Sequence, residues 1–169
     1  IELKEEKFQK LFKQNNDELT LKDCQIETDL EMLIPNDYIE NTSERFKIYK
    51  IINSFKDEND IEVLTKELED RFGKIPNSVF RLFNASRLKW RGVEVGFERI
   101  VLRDSKMYGY FISEDKFYES DRFENILNLL KSNPDKFELK EVKDKRFILI
   151  KNVISLTFAL KTCEIIMAK

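Results

Sequence analysis

Histidine is absent from this chain of 169 residues. Its absence removes the commonest general base and the commonest metal ligand. No Ser–His–Asp or Cys–His arrangement can be built without it. Only 2 cysteines occur, Cys24 and Cys163, far apart and each set in an apolar pattern. They read as small core hydrophobes in a reducing compartment, not as a disulfide or a ligand pair. Neither has a cysteine neighbour at zinc spacing. With only 4 glycines, no Gly-rich phosphate loop is formed and no Walker A sequence is present. No apolar run approaches the roughly 18 residues that a membrane span needs, and no signal peptide opens the chain. The first residue is Ile1 and not Met, as expected of a segment cut from a longer protein.

What is plentiful is charge and aromatic carbon. Charged residues make up 37%, with Lys+Arg 30 against Asp+Glu 32, for a net of −2. So even a balance supplies no overall field to draw in nucleic acid or an anionic membrane surface. Hydrophobic residues at 41%, including 14 Phe, are enough for a packed interior and argue against general disorder. A chain of this length makes one domain of ordinary size.

Periodicity divides the chain. Leu3, Phe8, Leu11 and Phe12 fall at helical spacing, so residues 1–20 read as the tail of a connecting helix ahead of a single domain over 21–169. From Cys24 to Ile34 the period is two, which predicts a strand ended by Pro35. Asn41, Thr42 or Ser43 is placed to cap a helix whose core stripe is Phe46, Tyr49, Ile52 and Phe55. A second helix is expected from about Asp60 to Phe72, with Ile61, Leu64, Leu68 and Phe72 inward and Gly73 closing it in the left-handed conformation. Pro76 opens a third, with Val79, Phe83, Ser86 and Trp90 on one face and Gly92 as its end. Val93, Val95 and Phe97 then alternate. Two hairpins are predicted, around Asp104-Ser105-Lys106 and Lys143-Asp144-Lys145, with a short helix over Phe123–Leu130 between them. An amphipathic helix over Val153–Met167 ends the chain. The fold class is α+β: an N-terminal strand and helices, then antiparallel hairpins and a C-terminal helix.

Little here suggests catalysis. Carboxylate pairs such as Glu67 with Asp70, or Asp115 with Glu119, can run acid–base chemistry when their environments differ, but exposed pairs in so acidic a chain are ordinarily solvated. No cofactor or metal is implied. Arg81, Arg87, Lys89, Arg91 and Arg99, with Trp90 and Phe97 among them, form a basic and aromatic stretch around the third helix. That makes Pro76–Arg91 the candidate for a rival, nucleic-acid-binding reading.

Glu67, Asp70 and Arg71 stand at i, i+3 and i+4 and so share one surface of the second helix. Two accounts of them stay open. One is an intrahelical Glu67–Arg71 pair of little energetic weight. The other is a rigid patch of both signs, read by a partner through salt bridges to Arg71 and through arginines brought to Glu67 and Asp70.

The string ELEDRFGKIPNSVFRLFNASRLK, from Glu67 to Lys89, resembles a segment of the C-terminal regulatory domain of the bacterial transcription-repair coupling factor. There a D-R-F-G turn is followed by a Pro and a helix ending in R-L-K. IPNDYI, from Ile34 to Ile39, is similar to that family's I-P-x-x-Y-I. Arg45, Ile48 and Tyr49 fit its next helix, although Phe46 and Ile48 stand where leucines are usual. ELKEE near the start is similar to the end of the helix joining the motor to this domain. The resemblance implies a cytoplasmic, non-catalytic module of an ATP-driven DNA translocase. Such a module folds back on the enzyme's own N-terminal UvrB-like module and masks the surface that binds UvrA. UvrA and RNA polymerase are then indirect partners, and no direct contact with nucleic acid is expected. By the same resemblance Glu67, Asp70 and Arg71 are the partner-binding residues, while Gly73 and Pro76 are structural.

Overall fold

The computed structural model describes Leu21 and residues 23–168. The helix expected over residues 1–20 lies outside the described residues. The elements, in chain order, are β1 (Gln25–Thr28), α1 (Thr42–Asn53), α2 (Glu58–Phe72), α3 (Asn77–Val95), β2 (Phe97–Arg103), β3 (Lys106–Phe111), α4 (Asp115–Tyr118), α5 (Asp121–Ser132), β4 (Phe137–Val142), β5 (Lys145–Lys151) and α6 (Leu156–Met167). The class is α+β. The strands form one sheet of order β1-β2-β3-β5-β4.

Both hairpins lie where the sequence puts them, and each turns on two residues of positive φ: Asp104 and Ser105 in one, Lys143 and Asp144 in the other. That backbone matches the twist of the flanking strands. The first strand departs from expectation. Only Gln25–Thr28 pairs, and it runs parallel to β2, with Ile26 beside Ile100. The sheet is therefore mixed. The period of two nevertheless continues to Ile34: Cys24 and Ile34 are buried, while Gln25, Asp29, Glu31 and Leu33 are exposed. An alternating pattern records burial, and burial does not require a ladder partner.

Two hydrophobic cores form. One lies between the sheet and α3, α5 and α6, and holds Leu88, Val95, Phe97, Phe111, Phe117 and both cysteines among others. The other lies among α1, α2 and the first half of α3, and includes Ile48, Leu64, Leu68, Val79 and Phe83. Cys24 and Cys163 are free and buried.

Several expectations are corrected. Phe46 is 60% exposed, while Ile48 and Ile52 are the buried residues of α1 and, with Phe55, complete the stripe without it. Asn41 is the cap, its side chain accepting from the Glu44 N–H, and α1 stops before Phe55. Gly92 does not end α3. It is buried inside the helix, where an added Cβ would lie 2.6 Å from the Cys24 Sγ. The helix runs on to Val95 and closes on Gly96 at φ 103°, so Val93 and Val95 are helical and not extended. Gly73 has positive φ at 82°, but its ψ of −157° lies far from the left-handed helical well, so the chain leaves α2 extended. The single turn α4 has no counterpart in the sequence reading, and α6 begins at Leu156 instead of Val153.

Candidate functional site

Helix α2 is built to hold its last turn still. Asp57 caps it by accepting from the Asp60 N–H, and Glu58 and Asp60 place negative charge in the first turn. Leu64 and Leu68 anchor one side in the core. At the far end, Tyr38 of the IPNDYI segment donates its hydroxyl to the carbonyls of Gly73, at 3.0 Å, and Leu68, at 3.3 Å. Its ring packs on Phe72 with centroids 5.8 Å apart. The same segment is tied to α1, since the Ile34 N–H donates to the Tyr49 hydroxyl at 2.8 Å and Arg45 donates to the Ile39 and Glu40 carbonyls.

On that fixed turn Glu67, Asp70 and Arg71 are all exposed. Arg71 donates Nη1 to Glu67 at 3.1 Å, as the intrahelical account expects. Its Nη2 lies 2.7 Å from Glu44 of α1, and its guanidinium sits 4.8 Å from the Phe72 ring centroid. Hydrogen bonding to Glu44 first, and then to Glu67, holds the guanidinium more firmly charged than usual. Among the described residues Asp70 makes no ion pair. The patch is thus two acids gripping one arginine, with a third acid beside them left unpaired.

Glu44 is the member that sequence reasoning missed. The signal was present: α1 and α2 are joined by a short connection, which sets them antiparallel. The first turn of one therefore faces the last turn of the other. Between the two helices an open groove of about 500 Å³ runs from Ile51, Phe55 and Lys56 past Val63 to Glu67. The patch therefore adjoins an apolar trough.

The basic stretch on α3 behaves otherwise. Arg87 is held bidentate by Glu58 at 2.7 and 2.8 Å, Arg91 by Glu94 at 2.9 Å, and Arg81 donates to the Glu31 carbonyl. Arg99 stands on β2, not α3, paired with Glu27 at 2.9 Å. Trp90 is half-buried against the second core. Arg87, Arg91 and Arg99 are thus matched by carboxylates, while Arg81 and Lys89 are the cations of α3 that make no ion pair among the described residues.

Among the described residues no cluster of three or more His, Cys, Asp or Glu could hold a metal. Asp115 and Glu119 are exposed. No helix of the described residues is long and apolar enough to cross a membrane.

Against known proteins, the profile of the TRCF domain matches residues 28–122. The chain is 27% identical over 132 residues to the transcription-repair-coupling factor of Escherichia coli (strain K12), covering 78% of this chain and 11% of that protein. It is 34% identical over 89 residues to the one from Myxococcus xanthus, covering 46% and 7%. It thus spans about a tenth of the length of the E. coli relative. A crystal structure of the C-terminal domain of transcription-repair coupling factor superposes with a TM-score of 0.67 at 22% identity, over 86% of this chain and 93% of that one, which is a likeness of fold. The resemblance carried by IPNDYI and by the Glu67–Lys89 string is borne out, and the chain belongs to the TRCF domain family.

Proposed function

We propose that this domain is a non-catalytic regulatory module of a cytoplasmic, ATP-driven transcription-repair coupling translocase. It docks through Glu67, Asp70 and Arg71 on the enzyme's own N-terminal UvrB-like module and masks the surface that binds UvrA. RNA polymerase and UvrA are then indirect partners whose engagement releases the dock. The observation that carries this reading is the exposed two-sign patch on a turn that Tyr38, Glu44 and the core hold rigid. A preorganised patch loses little conformational entropy on docking. Because its charges stay in solvent when undocked, such a clamp is selective, salt-sensitive and releasable.

The test is made in the longer protein that carries this domain. Asp70→Arg together with Arg71→Glu is expected to raise basal ATP hydrolysis and UvrA binding by about fivefold or more, the range of ordinary allosteric couplings. If both remain at the parent level, the assignment of this patch is wrong.

A further inference from the structure

The near-zero net charge conceals a segregation that only the fold reveals. The helices and the large core lie on one side of the sheet, which takes Ile100, Leu102, Met107, Ile148 and Ile150. Alternation sends Arg99, Val101 and Arg103 of β2, Tyr108 and Tyr110 of β3, and Phe147 and Leu149 of β5 to the opposite side. Of these, Val101, Phe147 and Leu149 are themselves buried, at 6%, 8% and 8% exposure, whereas Arg103 is exposed. At one end of that side the register sets Arg103 opposite Lys106 and Lys106 opposite Lys151, all three exposed. Three cationic residues therefore stand abreast on adjacent strands whose backbones are about 4.8 Å apart. Like charges directly opposite one another are unfavourable, so the row is a standing cost to the sheet.

The face as a whole carries Arg99, Arg103, Lys106, Lys140 and Lys151 against two carboxylates, Glu27 and Glu138. Glu138 is shared by Lys151 at 3.3 Å and Lys140 at 3.4 Å, and Glu27 takes Arg99. Lys145 is matched by Glu98 at 2.7 Å and adds nothing to the excess. Among the described residues Arg103 and Lys106 have no ion-pair partner. Beside the row runs an aromatic ladder. The rings of Tyr108 and Tyr110 lie 6.2 and 5.0 Å from Phe147, and the Arg99 guanidinium lies 5.2 Å from Tyr110. Both tyrosines are half-buried, and neither hydroxyl has a partner among the described residues.

We propose that this cationic and aromatic face binds a single strand of nucleic acid. Its phosphates would lie along Arg103, Lys106 and Lys151, with its bases against Tyr108 and Tyr110. Cations that follow a backbone beside rings that meet bases are how sequence-neutral single-strand binders work. A duplex offers the phosphates but keeps its bases away from the tyrosines, and an acidic peptide has no use for the ladder. The surface is separate from the α2 patch, so the proposal stands independently of the docking reading.

Fluorescence anisotropy of the 169-residue chain with labelled oligo(dT), oligo(U) and a mixed-sequence duplex, over a salt series, tests it. Both single strands are expected to bind alike, and more tightly than the duplex. In Arg103→Gln/Lys106→Gln/Lys151→Gln affinity should fall about tenfold or more, and the slope of log K on log salt should flatten by about 2, at ~0.7 per lost single-strand contact. Tyr108→Leu should weaken binding and leave the slope unchanged. Circular dichroism melting checks that each variant is folded. Should the triple variant melt below the parent, Arg103→Gln/Lys106→Gln, which breaks no ion pair, carries the test with a correspondingly smaller change. The proposal is overturned if the parent binds no single strand, if the duplex or polyglutamate competes as well as the oligonucleotides, or if the cation variants bind as the parent does.

Discussion

The Tyr38 hydroxyl lies 3.0 Å from the Gly73 carbonyl oxygen, closing the end of α2 with a side chain from the segment that precedes α1. The last carbonyls of a helix have no partner within it; the Gly73 N–H takes that of Glu69 at 3.0 Å, and Tyr38 serves the Gly73 carbonyl beyond it. Tyr38→Phe keeps the ring on Phe72 and removes the donor. It should lower the stability to urea by about 1 kcal/mol, the usual net worth of such a bond. A midpoint equal to the parent's would show that the hydroxyl is merely solvated.

Gly92 sets two opposing terms against each other. Alanine in mid-helix is favoured over glycine by ~1 kcal/mol. Here, however, the new Cβ would lie 2.6 Å from the Cys24 Sγ and 3.1 Å from the Ile100 Cδ1, all inside the core. Overpacking of that kind costs about 1–3 kcal/mol, so Gly92→Ala is expected to destabilise the chain. Adding Cys24→Ala should recover part of the loss, giving a non-additive double-mutant cycle. Additive effects, or a stabilised single variant, would contradict this account.

Burial pushes the Cys24 and Cys163 thiols from 9.0 up to about 12. Above pH 9 the unfolded chain releases thiol protons that the folded chain retains. The stability contributed by these groups is therefore complete below pH 9 and lost as pH rises toward 12. Tyr38 and Tyr118 are also raised, chiefly by burial, and add to the loss at the upper end. Thermal melts should be level near neutrality and fall with rising pH from about 9. Cys163→Ala costs stability at neutral pH through the cavity it leaves, but its curve should fall less steeply. A gap between the two proteins that stays constant from pH 9 to 12 would exclude the thiols as the source.

Much of this fold was written in local patterns. The stripe of Ile61, Leu64 and Leu68, the hairpin turns and the placement of Glu67, Asp70 and Arg71 on one exposed face all follow from spacing of a few residues. What escaped was set by partners distant in the chain. Gly92 reads as a helix stop because glycine ends helices more often than it fills them. Here it is tolerated because Cys24 needs the room. Phe46 reads as core because phenylalanine is usually buried, yet it lies about 200° round α1 from Ile48, which faces the core. The parallel pairing of β1 with β2 brings Ile26 to Ile100, and nothing local announces it. Glu44 joined the patch only once the antiparallel setting of α1 and α2 was in view. The cation row had the same obstacle: Arg103, Lys106 and Lys151 are scattered in sequence and become neighbours only through strand register.

Helix α3 has 19 residues, about 28 Å of rigid rod, and neither core owns it. Val79 and Phe83 are sealed in with α1 and α2, while Leu88 and Val95 are sealed in with the sheet. One unbroken helix is therefore the common wall of both cores, and a substitution along it is felt on whichever side that residue faces.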